Sequence, residues 1–167
     1  MNHPMIDRRG ALKAVGVIGA GAMAALVPTA AWAKDGEDSA HGVAGGWDVT
    51  VTFTAGQSKV LIMLAAGGGA MRSGQNDHLT GSLASPSYGS WASLEEREIG
   101  ITFRNFRYST GGATLSGTSK IRVRATVNEA KTQFSGPFIT ELFDLAGAVV
   151  RTIIGTVDGR RIPVELR

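Results

Sequence analysis

The sequence predicts an all-β fold, an antiparallel up-and-down barrel of about eight strands. Apolar residues alternate at period two through several segments, and turn-forming clusters of Gly, Ser, Asn and Asp separate those segments at roughly ten-residue intervals. Beyond residue 33 no window carries the periodicity of an amphipathic helix. Strands this long in an open sheet would expose unpaired edges, and closure into a cylinder removes them.

Residues 1–33 stand apart from that fold. Arg8-Arg9 precedes Leu12-Lys13, the run Ala14–Val27 is apolar and rich in Ala and Gly, and Ala31-Trp32-Ala33 supplies a small-x-small cleavage pattern. Paired arginines ahead of a mildly apolar run resemble a twin-arginine (Tat) signal peptide, although Asp7 and Ala11 replace the usual serine and phenylalanine. Ala14–Val27 is shorter than the roughly 20 apolar residues of a spanning helix, so no stable membrane insertion is expected after cleavage. Gly19, Gly21 and Ala24 have dinucleotide-fingerprint spacing, but no strand–helix–strand context or later acidic residue accompanies them, and the NAD reading is rejected.

Residues 34–45 read as a polar, flexible linker, and the barrel is expected over 46–167. Trp47, Val49, Val51 and Phe53 share one face of the first strand. Ala55-Gly56-Gln57 turns into an apolar strand over 60–66, Gly67-Gly68-Gly69 turns again, and 70–72 begins a short third strand. Ser73–Tyr88 reads as a long irregular loop, the lid or mouth of the barrel. Trp91 marks a short strand, and Glu95-Glu96-Arg97 a charged turn.

Ile99, Ile101 and Phe103 alternate, whereas Phe106 and Tyr108 fall on the opposite parity. That slip predicts a β-bulge near Arg104-Asn105. After the turn at 109–112, Ile121, Val123, Ala125 and Val127 face inward and Lys120, Arg122 and Arg124 outward. Segments 134–143 and 148–157 pair across the turn Asp144-Leu145-Ala146-Gly147, and 160–166 is a terminal strand or tail.

Composition excludes several functions. The chain of 167 residues has no cysteine, which removes disulfides, thiolate metal sites and cysteine nucleophiles. The formal charge of +3 includes Arg8, Arg9 and Lys13; without residues 1–33 the balance is nearly neutral, which argues against nucleic acid as a partner. His41 and His78 are isolated rather than clustered, no G-x-S-x-G elbow follows residue 33, and Gly67-Gly68-Gly69 lacks the Lys-Ser/Thr of a phosphate loop. No metal and no cofactor is expected.

Gly45-Gly46-Trp47, opening the first strand after a leader, resembles the G-x-W signature of the calycins: lipocalins, fatty-acid-binding proteins and avidins. The lipocalin T-D-Y turn is absent. The resemblance implies that Trp47 closes one barrel end against an arginine of the final strand, Arg160 or Arg161, with Arg161 preferred. It also implies a protein that binds a small hydrophobic molecule in its lumen, while the resemblance of residues 1–33 to a twin-arginine signal implies export to the periplasm or the outside of the cell. Trp47, Trp91, Phe103, Phe138 and Glu141 are the candidate ligand-binding residues.

Glu141 lies on a strand with apolar residues on both faces. It either enters the interior, where its pKa would rise, or pairs outside with a neighbouring arginine. Small bacterial barrels of similar layout include allene-oxide-cyclase-like proteins, which implies an alternative, a cofactor-free cyclase or isomerase assisted by Glu141, Tyr88 or Tyr108. A second alternative is a solidly packed structural barrel that takes no ligand. Oligomeric state stays open.

Overall fold

The computed structural model describes residues 42–74, 83–110, 112 and 114–166. The expected signal 1–33, most of the linker and residues 75–82 of the expected lid lie outside the described residues. The described strands are β1 (Gly45–Phe53), β2 (Gly56–Leu64), β3 (Gly69–Gly74), β4 (Leu83–Ala84), β5 (Ser87–Ser93), β6 (Glu98–Tyr108), β7 (Leu115–Val127), β8 (Gln133–Phe143) and β9 (Val149–Arg161). Eight of them close an antiparallel up-and-down barrel in the order β6-β5-β3-β2-β1-β9-β8-β7, and the pairing of β6 with β7 completes the ring. β4 extends the line of β5 along β6: Leu83 and Ala84 pair with Tyr108 and Arg107, and β5 then pairs from Tyr88↔Arg104 onward. The break falls at Ser85-Pro86 because Pro86 has no N–H to give to a ladder. Ser85 bridges it, donating its N–H to the Phe106 carbonyl and accepting the Phe106 N–H on Oγ.

The period-two pattern decides what is buried. Trp47 and Val49 on β1 and Val123, Ala125 and Val127 on β7 point inward, as expected, and Val60, Ile62 and Leu64 on β2 join them in one core while Leu61 and Met63 face outward. Two aromatic rings reach that core over glycine. Phe134 pairs with Gly159 and Phe138 with Gly155, so each ring covers a neighbouring strand position that has no side chain. A Cβ at Gly159 would stand 2.4 Å from the Phe134 ring tip, and one at Gly155 would stand 2.0 Å from the Thr52 carbonyl. Glycines at these positions let an eight-stranded cylinder curve around large rings. The β8–β9 turn is held by Asp144 Oδ1, which accepts the Ala148 N–H at 2.8 Å, and by Gly147 at φ 86°.

Four expectations are corrected. The β6–β7 register runs unbroken through Arg104-Asn105, and the irregularity falls at Arg107/Tyr108. There is no phase slip: Asn105 keeps the inward parity of Phe103 and is buried, while Phe106 points outward with 54% exposure. The irregular stretch over 73–88 is shorter than expected, because β3 runs to Gly74 and β4 and β5 occupy 83–84 and 87–93. Residues 42–45, expected as the end of a flexible linker, pack against the barrel instead. Val43 is 4% exposed and sits in the core, because Trp47 Nε1 donates to its carbonyl at 3.1 Å. The fourth concerns Glu141, which lies on the outer wall.

Candidate functional site

The two ends of the cylinder differ chemically. At the end where β1 begins, Trp47 packs on Phe134 with ring centroids 4.9 Å apart, and Leu64, Ile99 and Trp91 fill the remaining space. Trp91 Nε1 donates to the Ala65 carbonyl at 2.8 Å. Arg161, paired with Trp47 across β1–β9, lays its guanidinium over the indole with Cζ 5.4 Å from the ring centroid. The same guanidinium donates to the carbonyls of Gly42, Lys131 and Ala44. A cation shared among three carbonyls and an indole face ties the segment 42–44 across this end as a plug.

Toward the opposite end, the interior changes from apolar to amphipathic. Val51, Phe53, Ile121 and Ile153 keep the inward parity of their strands, pack on the core and stay half-buried. On β3, β5, β6 and β7, across from Val51, Phe53 and Ile153 and beside Ile121, is a polar belt. Arg72 pairs with Ser87, and Asn105 pairs with Ser119, one ladder step beyond the Tyr88↔Arg104 pair. Ser87, Asn105 and Ser119 are all buried. Arg72 Nη1 donates to Ser87 Oγ at 3.4 Å, and Ser119 Oγ donates to Asn105 Oδ1. Buried polar side chains carry a desolvation cost unless bonded, and these bonds offset it across neighbouring strands.

The candidate residues divide between the two ends and the outer wall. Trp47 and Trp91 belong to the packed plug, away from the mouth. Phe103 and Phe138 are buried between the plug and the belt: Phe103 precedes Asn105 on the inner face of β6, and Phe138 covers Gly155. Tyr88 is 59% exposed and carries the outward parity of β5, and Tyr108 is half-buried at the β6 irregularity.

Glu141 is also outside. Phe138 and Leu142 fix the inward parity of β8, so Glu141 projects from the barrel, where Arg122 Nη2 meets its Oε1 at 2.9 Å. The interior placement of Glu141 is withdrawn, and with it an acid–base role inside the lumen. Glu141→Gln is expected to change unfolding free energy by less than about 1 kcal/mol, because both partners are partly solvated. Chemical denaturation of the two proteins checks this, and a larger loss would contradict an outer-wall pair.

Nearby on the outer wall, Glu98 accepts from Arg124 Nε at 2.9 Å and raises the guanidinium pKa, first through that hydrogen bond and then through charge attraction. Among the described residues two cavities lie away from the belt. One of about 250 Å³ runs beside Val43 at the plugged end, and one of about 290 Å³ lies on the outer wall between Asp48, Lys59 and Asp158. No group of His, Asp and Glu that could hold a metal occurs among the described residues.

The polar belt is the part of the site that sequence reading missed. Its signal was present: Asn105 and Ser119 occupy parity positions that the alternation of β6 and β7 reserves for apolar residues. Comparison of the chain with protein-family models, with curated proteins and with solved structures returns no match.

Proposed function

We propose that this chain is an exported carrier that holds a small hydrophobic molecule in the mouth half of its barrel. The observation that supports it most directly is the ring of Val51, Phe53, Ile121 and Ile153, apolar, inward and only half-buried at the end opposite the Trp47 plug. Covering such surface with a ligand yields on the order of 25 cal/mol per Å², enough for useful affinity without reactive residues. A cyclase reading finds less support. The inward faces of the described strands carry no Asp or Glu, so within them a substrate would meet hydroxyls, an amide and arginine rather than a carboxylate base.

Native mass spectrometry of the protein purified from its own host is expected to reveal an adduct of one small apolar molecule, lost on mild activation. A clean apo mass, together with no uptake of an added neutral apolar dye, would favour a solidly packed barrel instead.

Export belongs to the same reading and rests on Arg8-Arg9 and the apolar run that follows. Replacing both arginines with lysine is expected to keep the protein in the cytoplasm, as followed by cell fractionation. Undiminished appearance outside the cytoplasm would remove the twin-arginine assignment.

A further inference from the structure

The outer wall of the barrel is chemically lopsided. We propose that one sector of it, the outward face of β2, β3 and β5, is where a second copy of this chain docks to form a two-fold symmetric dimer.

Strand register lays a single row of residues around that sector. Gly46 pairs with Met63, Met63 with Met71, Met71 with Tyr88, and Tyr88 with Arg104. The row takes the outward parity, because Trp47, Ile62, Ala70 and Ser87 beside it point inward. Gly46 has no side chain, and Ile162 fills its place: a Cβ there would stand 3.4 Å from Ile162 Cδ1. Ile162, Met63, Met71 and Tyr88 therefore form an unbroken apolar line, 46% to 59% exposed, and Leu61 widens it two residues along β2. Single apolar residues on a surface are ordinary, whereas a run across neighbouring strands marks a surface made to be covered.

Charge is excluded from the same area. The other outward positions of β3 and β5 are Gly69, Ser73, Ser90 and Ala92, and β2 adds one charge, Lys59, near the mouth. The opposite wall, by contrast, carries Lys120, Arg122 and Arg124 on β7 and Glu141 on β8. Methionine and tyrosine gathered where charge is depleted is the composition of an interface core. Five large side chains about half exposed present on the order of 500 Å² of apolar surface, close to the largest patch a monomer usually shows. With the small uncharged residues around them, a second copy would cover roughly 800 Å² on each chain, the size of a stable interface.

The row is also complementary to itself. Rotation by a half-turn about an axis along β3 sets Met71 of one copy against Met71 of the other and lays Tyr88 over Met63, a sulfur–aromatic contact. It brings Arg104, at one end of the row, to the flank where the other copy presents Asp48. The two chains thus meet through an apolar centre with opposite charges at its rim, and the mouth of each barrel stays open.

Sedimentation velocity of the intact protein, from low micromolar to the highest soluble concentration, is expected to show a dimer. Met71→Lys should raise the dimer dissociation constant at least about 30-fold, since two like charges then meet on the axis. Its circular dichroism should match the wild type, because the side chain is outside the core. The chain has no cysteine, so single replacements report the face directly. Met71→Cys should cross-link into a disulfide-bonded dimer on mild oxidation, whereas Ser135→Cys, exposed on β8 across the barrel, should not.

A monomer at every concentration overturns the proposal. So does a dimer that survives Met71→Lys, or one that cross-links through Ser135→Cys as readily as through Met71→Cys. The carrier reading stands or falls separately, because none of these measurements involves the lumen.

Discussion

Replacing Trp47 with alanine is expected to destabilise the protein by about 3–5 kcal/mol, the range for truncating a large buried aromatic. The ring is fully buried, packs on Phe134, donates to the Val43 carbonyl and lies under the Arg161 guanidinium. Truncation therefore opens a void, leaves the Val43 carbonyl without its donor and removes the surface on which the cation rests. For a domain whose whole stability is of order 5–15 kcal/mol, that is a large fraction.

Urea unfolding followed by far-ultraviolet circular dichroism measures the loss. A change below roughly 1 kcal/mol would mean that the indole does not seal this end. Trp47→Phe separates the contributions: it keeps most of the apolar area and gives up the N–H bond and the larger face offered to Arg161. Its cost should fall well below that of alanine.

The second large effect is expected at a residue with no side chain. Gly159→Ala places a methyl group 2.4 to 2.8 Å from three atoms of the Phe134 ring. The ring tip cannot swing away freely, because Phe134 is 2% exposed and held against Trp47. Overpacking of this kind costs about 1–3 kcal/mol. In a Phe134→Leu background the ring atoms that clash are gone, so the added methyl should cost less than half as much. The coupling between the two sites should then be at least about 0.5 kcal/mol, within the range for residues in contact. Additive losses in the double-mutant cycle would show that Gly159 is needed for something other than the ring above it.

Both effects concern how the barrel is closed, and closure is the level that sequence pattern reaches least well. Alternation at Trp47, Val49, Val51 and Phe53, and again at Ile121 through Val127, is visible in one dimension because each strand hides one face and wets the other. The same rule was misapplied at Phe106. An apolar residue on the wrong parity looked like a bulge, when Asn105 inside and Phe106 outside needed no bulge at all. An apolar side chain on a surface is ordinary, whereas a polar one in a core is the informative exception. The belt was legible only to a reader who trusted the alternation over the polarity.

Glu141 failed in the opposite sense. Its strand carries apolar residues on both faces, so the local pattern could not choose, and the choice came from Phe138 and Leu142 packing inward.

The residue pattern sufficed for the class of fold and most strand positions, because each is encoded by neighbours within one strand, whereas the pairing of Trp47 with Arg161 was implied only by the G-x-W resemblance. Which polar residues meet inside depended on strand register. Arg72, Ser87, Asn105 and Ser119 are far apart in the chain and become one belt only when β3, β5, β6 and β7 align in sequence around the cylinder. Register is fixed by the sum of all inward contacts, a property of the closed barrel that no single segment carries.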